Sequence, residues 1–305
     1  MTNIALILFC TLAGILFKRY KLIPTDAHKG INVFILYIAL PAVSFKYIPQ
    51  IPWNQDLLFP VCSSVLVWLG SYLFIRAYCR FKGYNRRTRS SLELSSGYSN
   101  TSFIGFPLIM AYFGEQQLGV AIICDQSMFL ILSSIGIVSA IKGDKQVREV
   151  PSAKMVMARF IRFPPVIACL SALLLSRFLD FQPVEPFFDK LTATVGPLAL
   201  FSLGLQLNIK GWRPKIAQIS VALLYKLILA PALVLCAAFV LGVQGDTARI
   251  SVFEAGMPTL ITASIIAEQF NLNSKLVNLI IGVGILAGFI STGIWSIIIN
   301  SLFPL

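Results

Sequence analysis

Histidine occurs once in the 305 residues, at His28 in a basic loop. That leaves no His-based triad and no zinc motif of the HExxH kind. Charged residues make up only 12% of the chain against 57% hydrophobic ones, a shortage that excludes an ordinary soluble domain. Acidic side chains number 13, and Asp125 is the one aspartate deep in an apolar run. An intramembrane enzyme would need a catalytic pair such as two facing aspartates, so the chain reads as a non-enzyme. The six cysteines (10, 62, 79, 124, 169, 236) sit in or beside apolar stretches without CxxC spacing. They read as packing residues, with no disulfide framework, metal site or cofactor implied.

What the chain does have is long apolar runs. Ten can be placed, at 3–17, 31–49, 57–77, 90–113, 117–141, 159–178, 190–209, 216–241, 248–268 and 276–303. Each is near the ~20 residues that cross a hydrocarbon core. The loops between them are short, so the expectation is one all-α transmembrane domain over 1–305. A first half of about 1–141, a connector of about 142–158 and a second half of about 159–305 compose it. Met1-Thr2-Asn3 carries no basic n-region and Lys18-Arg19 follows the first apolar run, so that run reads as a retained helix and not a signal peptide.

The excess of basic residues, net +12, would suggest nucleic acid in a soluble protein. Its distribution points instead to a bilayer. With ten spans, 20 of the 25 basic residues fall on one side, including Arg76, Arg80, Lys82, Arg86, Arg87, Arg89 and Lys142. Lys46, Arg177, Lys190 and Arg249 fall on the other, and Lys226 lies within a span. The positive-inside rule makes the first side cytoplasmic, in a multi-pass protein of the plasma (inner) membrane with both termini outside.

Two of the runs are interrupted in the same way. Gly105-Phe106-Pro107 and Gly256-Met257-Pro258 stand 151 residues apart, in the fourth and ninth spans. Leu40-Pro41-Ala42 in the second span has its echo in Gly196-Pro197-Leu198-Ala199 in the seventh. Five spans is an odd number, so the second half would insert upside down, giving two inverted five-helix repeats. Proline breaks the helix ladder, and broken backbone at membrane depth is tolerated only in protein or beside a watery cavity.

The polar run Ser95-Ser96-Gly97-Tyr98-Ser99-Asn100-Thr101-Ser102 adjoins the first break. Hydroxyl groups there can serve as glue between helices or line a cavity, and the neighbouring break favours the cavity. Half-helix N-termini at the two breaks present free N–H groups and the positive ends of dipoles, which attract a carboxylate. A pocket for a small anion is expected between them, from Asn100, Thr101, Ser102, Gly105 and Pro107 on one side. Gly256, Met257, Pro258, Thr259 and Thr262 supply the other, with Asn100 and Thr262 as side-chain donors. Charges within or beside spans are Glu93, Asp125 (next to Gln126), Lys226 and Glu254. They read either as proton- or cation-coupling groups or as static ion pairs, Asp125 with Lys226 or Glu254.

Around the breaks the chain resembles the auxin efflux carrier family, particularly its bacterial members, within the bile acid/sodium symporter-like inverted-repeat superfamily. The resemblance runs through Leu40-Pro41-Ala42, Asn100 through Pro107, Gly196 through Leu200, Lys226 through Pro231, and Glu254 through Pro258. It implies ten helices, with broken helices 4 and 9 crossing, a scaffold of helices 1, 2, 6 and 7, and a moving domain of 3–5 and 8–10. It also implies an organic-anion substrate such as auxin or a small carboxylate, and a homodimer formed through the scaffold. Many members carry an asparagine where this chain has Thr262, which donates a hydrogen bond over a shorter reach. The expected function is an elevator-type carrier of a small organic anion. A sodium-coupled symporter or cation/proton antiporter on the same fold is the alternative, and a non-transporting membrane sensor a distant one.

Overall fold

Three of the four π turns among the described residues end two residues ahead of a proline: Pro41, Pro107 and Pro231. A computed structural model describes residues 2–24, 26–51, 55–143, 164–179, 181–207 and 211–303. Every named element is helical, and no strand occurs among the described residues. Helix α1 (Thr2–Arg19) is followed by α2 (Ala27–Phe34), a π turn over Ile35–Ala39 and α3 (Leu40–Tyr47). That π turn stands just ahead of Pro41, whose ring would clash with the carbonyl four residues back in a regular helix. The widened turn closes with a bond five residues long, from Leu40 N–H to Ile35 O.

Helix α4 (Leu58–Lys82) stops at Gly83, which caps it at φ +67°, a conformation that favours glycine. Asn85 then caps α5 (Arg86–Gly97), its Oδ1 accepting the Thr88 N–H at 2.8 Å. Tyr98–Asn100 leaves helical geometry before a π turn over Thr101–Gly105 leads into α6 (Phe106–Tyr112). Helix α7 (Leu118–Ile131) passes through a further π turn, Leu132–Gly136, into α8 (Ile137–Gly143).

The second half opens with α9 (Pro164–Leu175), α10 (Glu185–Thr192) and α11 (Val195–Gln206). Helix α12 (Ile216–Leu224) joins α13 (Ala230–Leu241) through a π turn over Tyr225–Leu229, again just before a proline. Pro231 has no N–H for the Leu227 carbonyl, and the Trp295 indole N–H takes that place at 2.8 Å. Helices α14 (Gly245–Ala255), α15 (Thr262–Gln269) and α16 (Ser274–Leu302) complete the chain.

Five segments are long and apolar enough to cross a membrane: Ala27–Gln50, Leu58–Lys82, Glu115–Gly143, Arg213–Leu241 and Ser274–Leu302. They coincide with the second, third, fifth, eighth and tenth expected spans. The fourth and ninth spans are present as helix pairs, α5 with α6 and α14 with α15. The ninth is interrupted at Gly256-Met257-Pro258 as expected, but the fourth is interrupted earlier than expected, at Tyr98–Asn100: Gly105 ends the π turn and Pro107 sits in the first turn of α6, a position that proline tolerates. Residues 144–163 hold most of the expected connector and the start of the sixth span, and they lie outside the described residues.

Packing separates the helices into two groups. In one, α1 lies along α11 so closely that a Cβ on Gly14 would stand 2.9 Å from the Gly204 Cα. Helices α9 and α10 pack on α3, and α11 on α2. In the other group α4 touches α5, α7, α13 and α14, while α16 packs on α12, α14 and α15. Large apolar side chains such as Leu6, Leu8, Phe9, Ile290 and Ile297 are exposed on the outside of the bundle. Serine, threonine and charged groups are buried in its middle, the reverse of a protein that faces water.

A candidate transport site at the crossing of two interrupted helices

The two interruptions meet. Ser99 and Thr259 form an isolated antiparallel bridge. The Asn100 N–H donates to the Pro258 carbonyl at 2.8 Å, and the Leu260 N–H to the Tyr98 carbonyl at 3.0 Å. Each break therefore satisfies backbone groups that the other leaves without helical partners, a requirement in an apolar setting. Thr259 Oγ1 adds a bond to the Ser95 carbonyl at 2.6 Å. Asn100 is fully buried; its Oδ1 accepts the Phe103 N–H at 3.3 Å, capping the second half of the first interrupted segment. Its Nδ2 has no hydrogen-bond partner among the described residues.

Lys226, 0% exposed, reaches this crossing from the π turn ahead of Pro231. Its Nζ donates to Ser99 Oγ at 2.5 Å and to the Ala255 carbonyl at 2.7 Å. One ammonium thus ties the unwound residue of the first break to the helix end of the second. Glu254 is buried beside Gly105, and neither carboxylate oxygen has a hydrogen-bond partner among the described residues. Asp125 is held by Thr101 Oγ1 at 2.5 Å, and Gln126 Nε2 stands 3.4 Å from its other oxygen. Among the described residues no ion pair links Asp125, Lys226 and Glu254. Glu93 lies elsewhere, with Arg76 at 3.2 Å, Arg89 at 3.6 Å and Ser139 Oγ at 2.5 Å.

Beside the crossing is a cavity of about 250 Å³, walled by the first interrupted segment, α2, α7 and the start of α15. Pockets for drug-sized ligands span about 300–1,000 Å³, so this one suits a smaller molecule. Its polar groups are Asn32, Thr101, Ser102, Asp125 and Thr262, set among Leu36, Phe103, Met128, Phe129 and Leu260. Of the expected pocket residues, Thr101, Ser102 and Thr262 line the cavity, and Asp125 joins them from the charged set. Asn100, Gly256, Met257, Pro258 and Thr259 belong to the two breaks that cross behind it, Gly105 lies against Glu254, and Pro107 stands apart in the first turn of α6. Lys226 and Glu254 stand on that inner side as well.

Sequence reasoning had not picked out Asn32 or the aromatic wall. Asn32 carried a usable signal, being a lone amide in an apolar span. It accepts a hydrogen bond from Ser202 Oγ at 2.5 Å. Phe103 and Phe129 carried none, since a phenylalanine on a cavity wall and one in lipid look alike in sequence.

The chain is similar to three further proteins over most of its length. A transporter of uncharacterized function from Methanothermobacter thermautotrophicus is 25% identical over 96% of both chains. The uncharacterized transporter MJ1031 of Methanocaldococcus jannaschii is 24% identical over 91% of both. A protein named "Putative malonate transporter" from Rhizobium meliloti is 27% identical over 81% of this chain and 79% of its own. Residues 1–296 match the family of membrane transport proteins. With helices fit to cross a bilayer and buried charge at their centre, this integral membrane protein belongs to that family, the auxin efflux carrier family.

Proposed function

We propose that the protein is a secondary carrier of a small organic anion, with the cavity beside the crossing as its binding site and Asp125 as a proton-coupling group. One observation carries the proposal. The cavity is lined by a single carboxylate, Asp125, and no lysine or arginine among the described residues lines it. A carboxylate substrate entering there meets a like charge in a low-dielectric setting, which disfavours having both ionised. A proton on Asp125 removes the repulsion and leaves a donor for the substrate. Ser102 and Thr262 add neutral donors, and the half-helix ends favour the anion. The malonate named for the R. meliloti relative is a substrate of the size that 250 Å³ suits.

Alternating access would work as an elevator, with spans 1, 2, 6 and 7 as scaffold and spans 3–5 and 8–10 as the moving body. The two packing groups support that division. So does their cross-wise arrangement: the first helix of each half packs on the second span of the other, α1 on α11 and α9 on α3. That arrangement supports the reading of ten helices in two inverted repeats. The charge bias supports termini outside the cytoplasm in a plasma-membrane protein, and the scaffold would join two copies as a homodimer. A sodium-coupled cycle is the second reading, favoured by the Glu254 carboxylate buried without a hydrogen-bond partner.

The test is transport by the purified protein in liposomes. Uptake of labelled malonate and related dicarboxylates is expected to rise with an imposed proton gradient and to be indifferent to sodium. Uptake that needs sodium at constant pH would favour the second reading, and no uptake or exchange of any dicarboxylate would refute the substrate class.

A further inference from the structure

A second cavity, of about 260 Å³, opens between α4, the start of α5 and α8 at the end of the bundle rich in basic residues. Arg76, Arg89 and Lys142 line it, with Glu93 as the sole acid on its walls. That one carboxylate faces both guanidinium groups and also accepts the Ser139 hydroxyl. It cannot neutralise two arginines, and exposed Lys142 has no acidic partner among the described residues. Arg76 lies over the Tyr72 ring at 4.0 Å and uses only its Nε toward Glu93, so its terminal nitrogens keep their donors. On the inner wall, Ser71 is 1% exposed and its hydroxyl has no hydrogen-bond partner among the described residues. The cavity thus holds two surplus positive charges and an unused buried hydroxyl.

Exposed apolar side chains stand beside it on the side toward the middle of the bundle. Leu69 and Leu73 precede Arg76 by seven and three residues on α4, which puts all three on one face. Ile135 precedes Lys142 by seven on the π turn and α8, again on one face. Leu69, Leu73 and Ile135 are all exposed, at 40%, 59% and 38%. On both walls, then, a cation stands at the end of the bundle with outward apolar side chains one or two turns nearer its middle. A soluble anion needs the first feature and has no use for the second. A phospholipid needs both, since its headgroup and its chains enter a site together.

We propose that this cavity binds the headgroup of an anionic phospholipid, its phosphate between Arg76, Arg89 and Lys142 and its chains along Leu69, Leu73 and Ile135. Basic pockets between membrane helices recognise anionic headgroups in this way, each Lys or Arg near the surface changing affinity about fivefold. The inner wall includes Tyr98, whose carbonyl receives the Leu260 N–H at the crossing. A bound lipid therefore abuts the strut of the transport site without entering it.

Titration of the purified full chain with phosphatidylglycerol, phosphatidylcholine or inorganic phosphate, read by native mass spectrometry and thermal unfolding, tests the site. Phosphatidylglycerol is expected to bind and stabilise, phosphatidylcholine much less, and inorganic phosphate not at all. Lys142→Gln should weaken phosphatidylglycerol about fivefold, and Arg76→Gln by a similar factor. Lys82→Gln, which removes an exposed charge at the same end but outside the cavity, should leave it unchanged. Lys142 makes no ion pair among the described residues, so its variant keeps the test valid even where Arg76→Gln fails to fold. Equal binding of both lipids, equal loss in Lys82→Gln, or full stabilisation by inorganic phosphate alone would overturn the proposal.

Discussion

The Glu254 carboxylate rests against the backbone of Gly105: a Cβ on Gly105 would stand 2.5 Å from Oε2 and 2.6 Å from Oε1. Both residues belong to interrupted segments, one from each half of the chain, so the absence of a side chain at 105 is what admits the charge. Gly105→Ala should destabilise by about 1–3 kcal/mol through overpacking. In an Glu254→Ala background the obstacle is gone, and the same substitution should cost close to nothing. Thermal unfolding of the two singles and the double measures the coupling. Additive losses would show that Glu254 is not what limits position 105.

A second cycle concerns Trp295 and Pro231. Trp295→Phe keeps the ring and removes the N–H that serves the Leu227 carbonyl, an expected cost of about 1–3 kcal/mol for a buried acceptor left unpaired. Pro231→Ala restores a backbone N–H four residues along from Leu227. It should therefore reduce the penalty of Trp295→Phe when the two are combined. An unchanged penalty in the double variant would mean that the indole matters only for its bulk.

Two helical glycines should respond in opposite directions. Gly14→Ala drives a Cβ toward the Phe201 carbonyl oxygen and the Gly204 Cα, both backbone atoms that cannot step aside. Loss of about 1–3 kcal/mol or more is expected. Gly30 in α2 has nothing within 4 Å of the same position, so Gly30→Ala should stabilise by about 0.5–1 kcal/mol. Melting temperatures of the two variants, compared with the parent, decide this.

Asp125→Asn fixes the side chain in a neutral form and keeps an acceptor for Thr101. Folded yield and melting temperature should change little. Uptake should lose its dependence on a proton gradient while exchange across the membrane continues. Wild-type gradient dependence in the variant would remove Asp125 from the coupling role, and loss of folded protein would point to a structural one.

Orientation has its own readout. A reporter that works only outside the cytoplasm should be active at Leu305 and silent when inserted between residues 142 and 154. The reverse pattern would overturn the reading of the basic residues.

Much of this site was legible because proline and glycine act locally. Pro258 marks its break directly, whereas Pro107 marks the first one only to within a few residues, since the chain leaves helical geometry at Tyr98–Asn100 and regains it before the proline. Asp125 was legible for a similar reason: a carboxylate deep in an apolar run has few other uses. The partners were not legible. Nothing in the order of residues says that Lys226 ends on Ser99 and the Ala255 carbonyl, because those contacts depend on how far a long side chain extends across a fold. An ion pair between Asp125 and Lys226 was a reasonable expectation from charge alone, yet Thr101 holds Asp125 and the lysine turns to neutral oxygens. The cap on Asn100 likewise became visible only in three dimensions. Removing that side chain touches helix stability, by about 0.5–2 kcal/mol, as well as any ligand.

The two breaks are stitched together by backbone hydrogen bonds, through Asn100 with Pro258 and Leu260 with Tyr98. Side-chain bonds can be exchanged for water one at a time, but these join main chain to main chain, where water is scarce and no rotamer can swing away. Neither interrupted helix can slide, tilt or unwind by itself without exposing polar backbone in the other. The two interrupted segments are therefore geared: whatever displacement one undergoes, its counterpart undergoes with it.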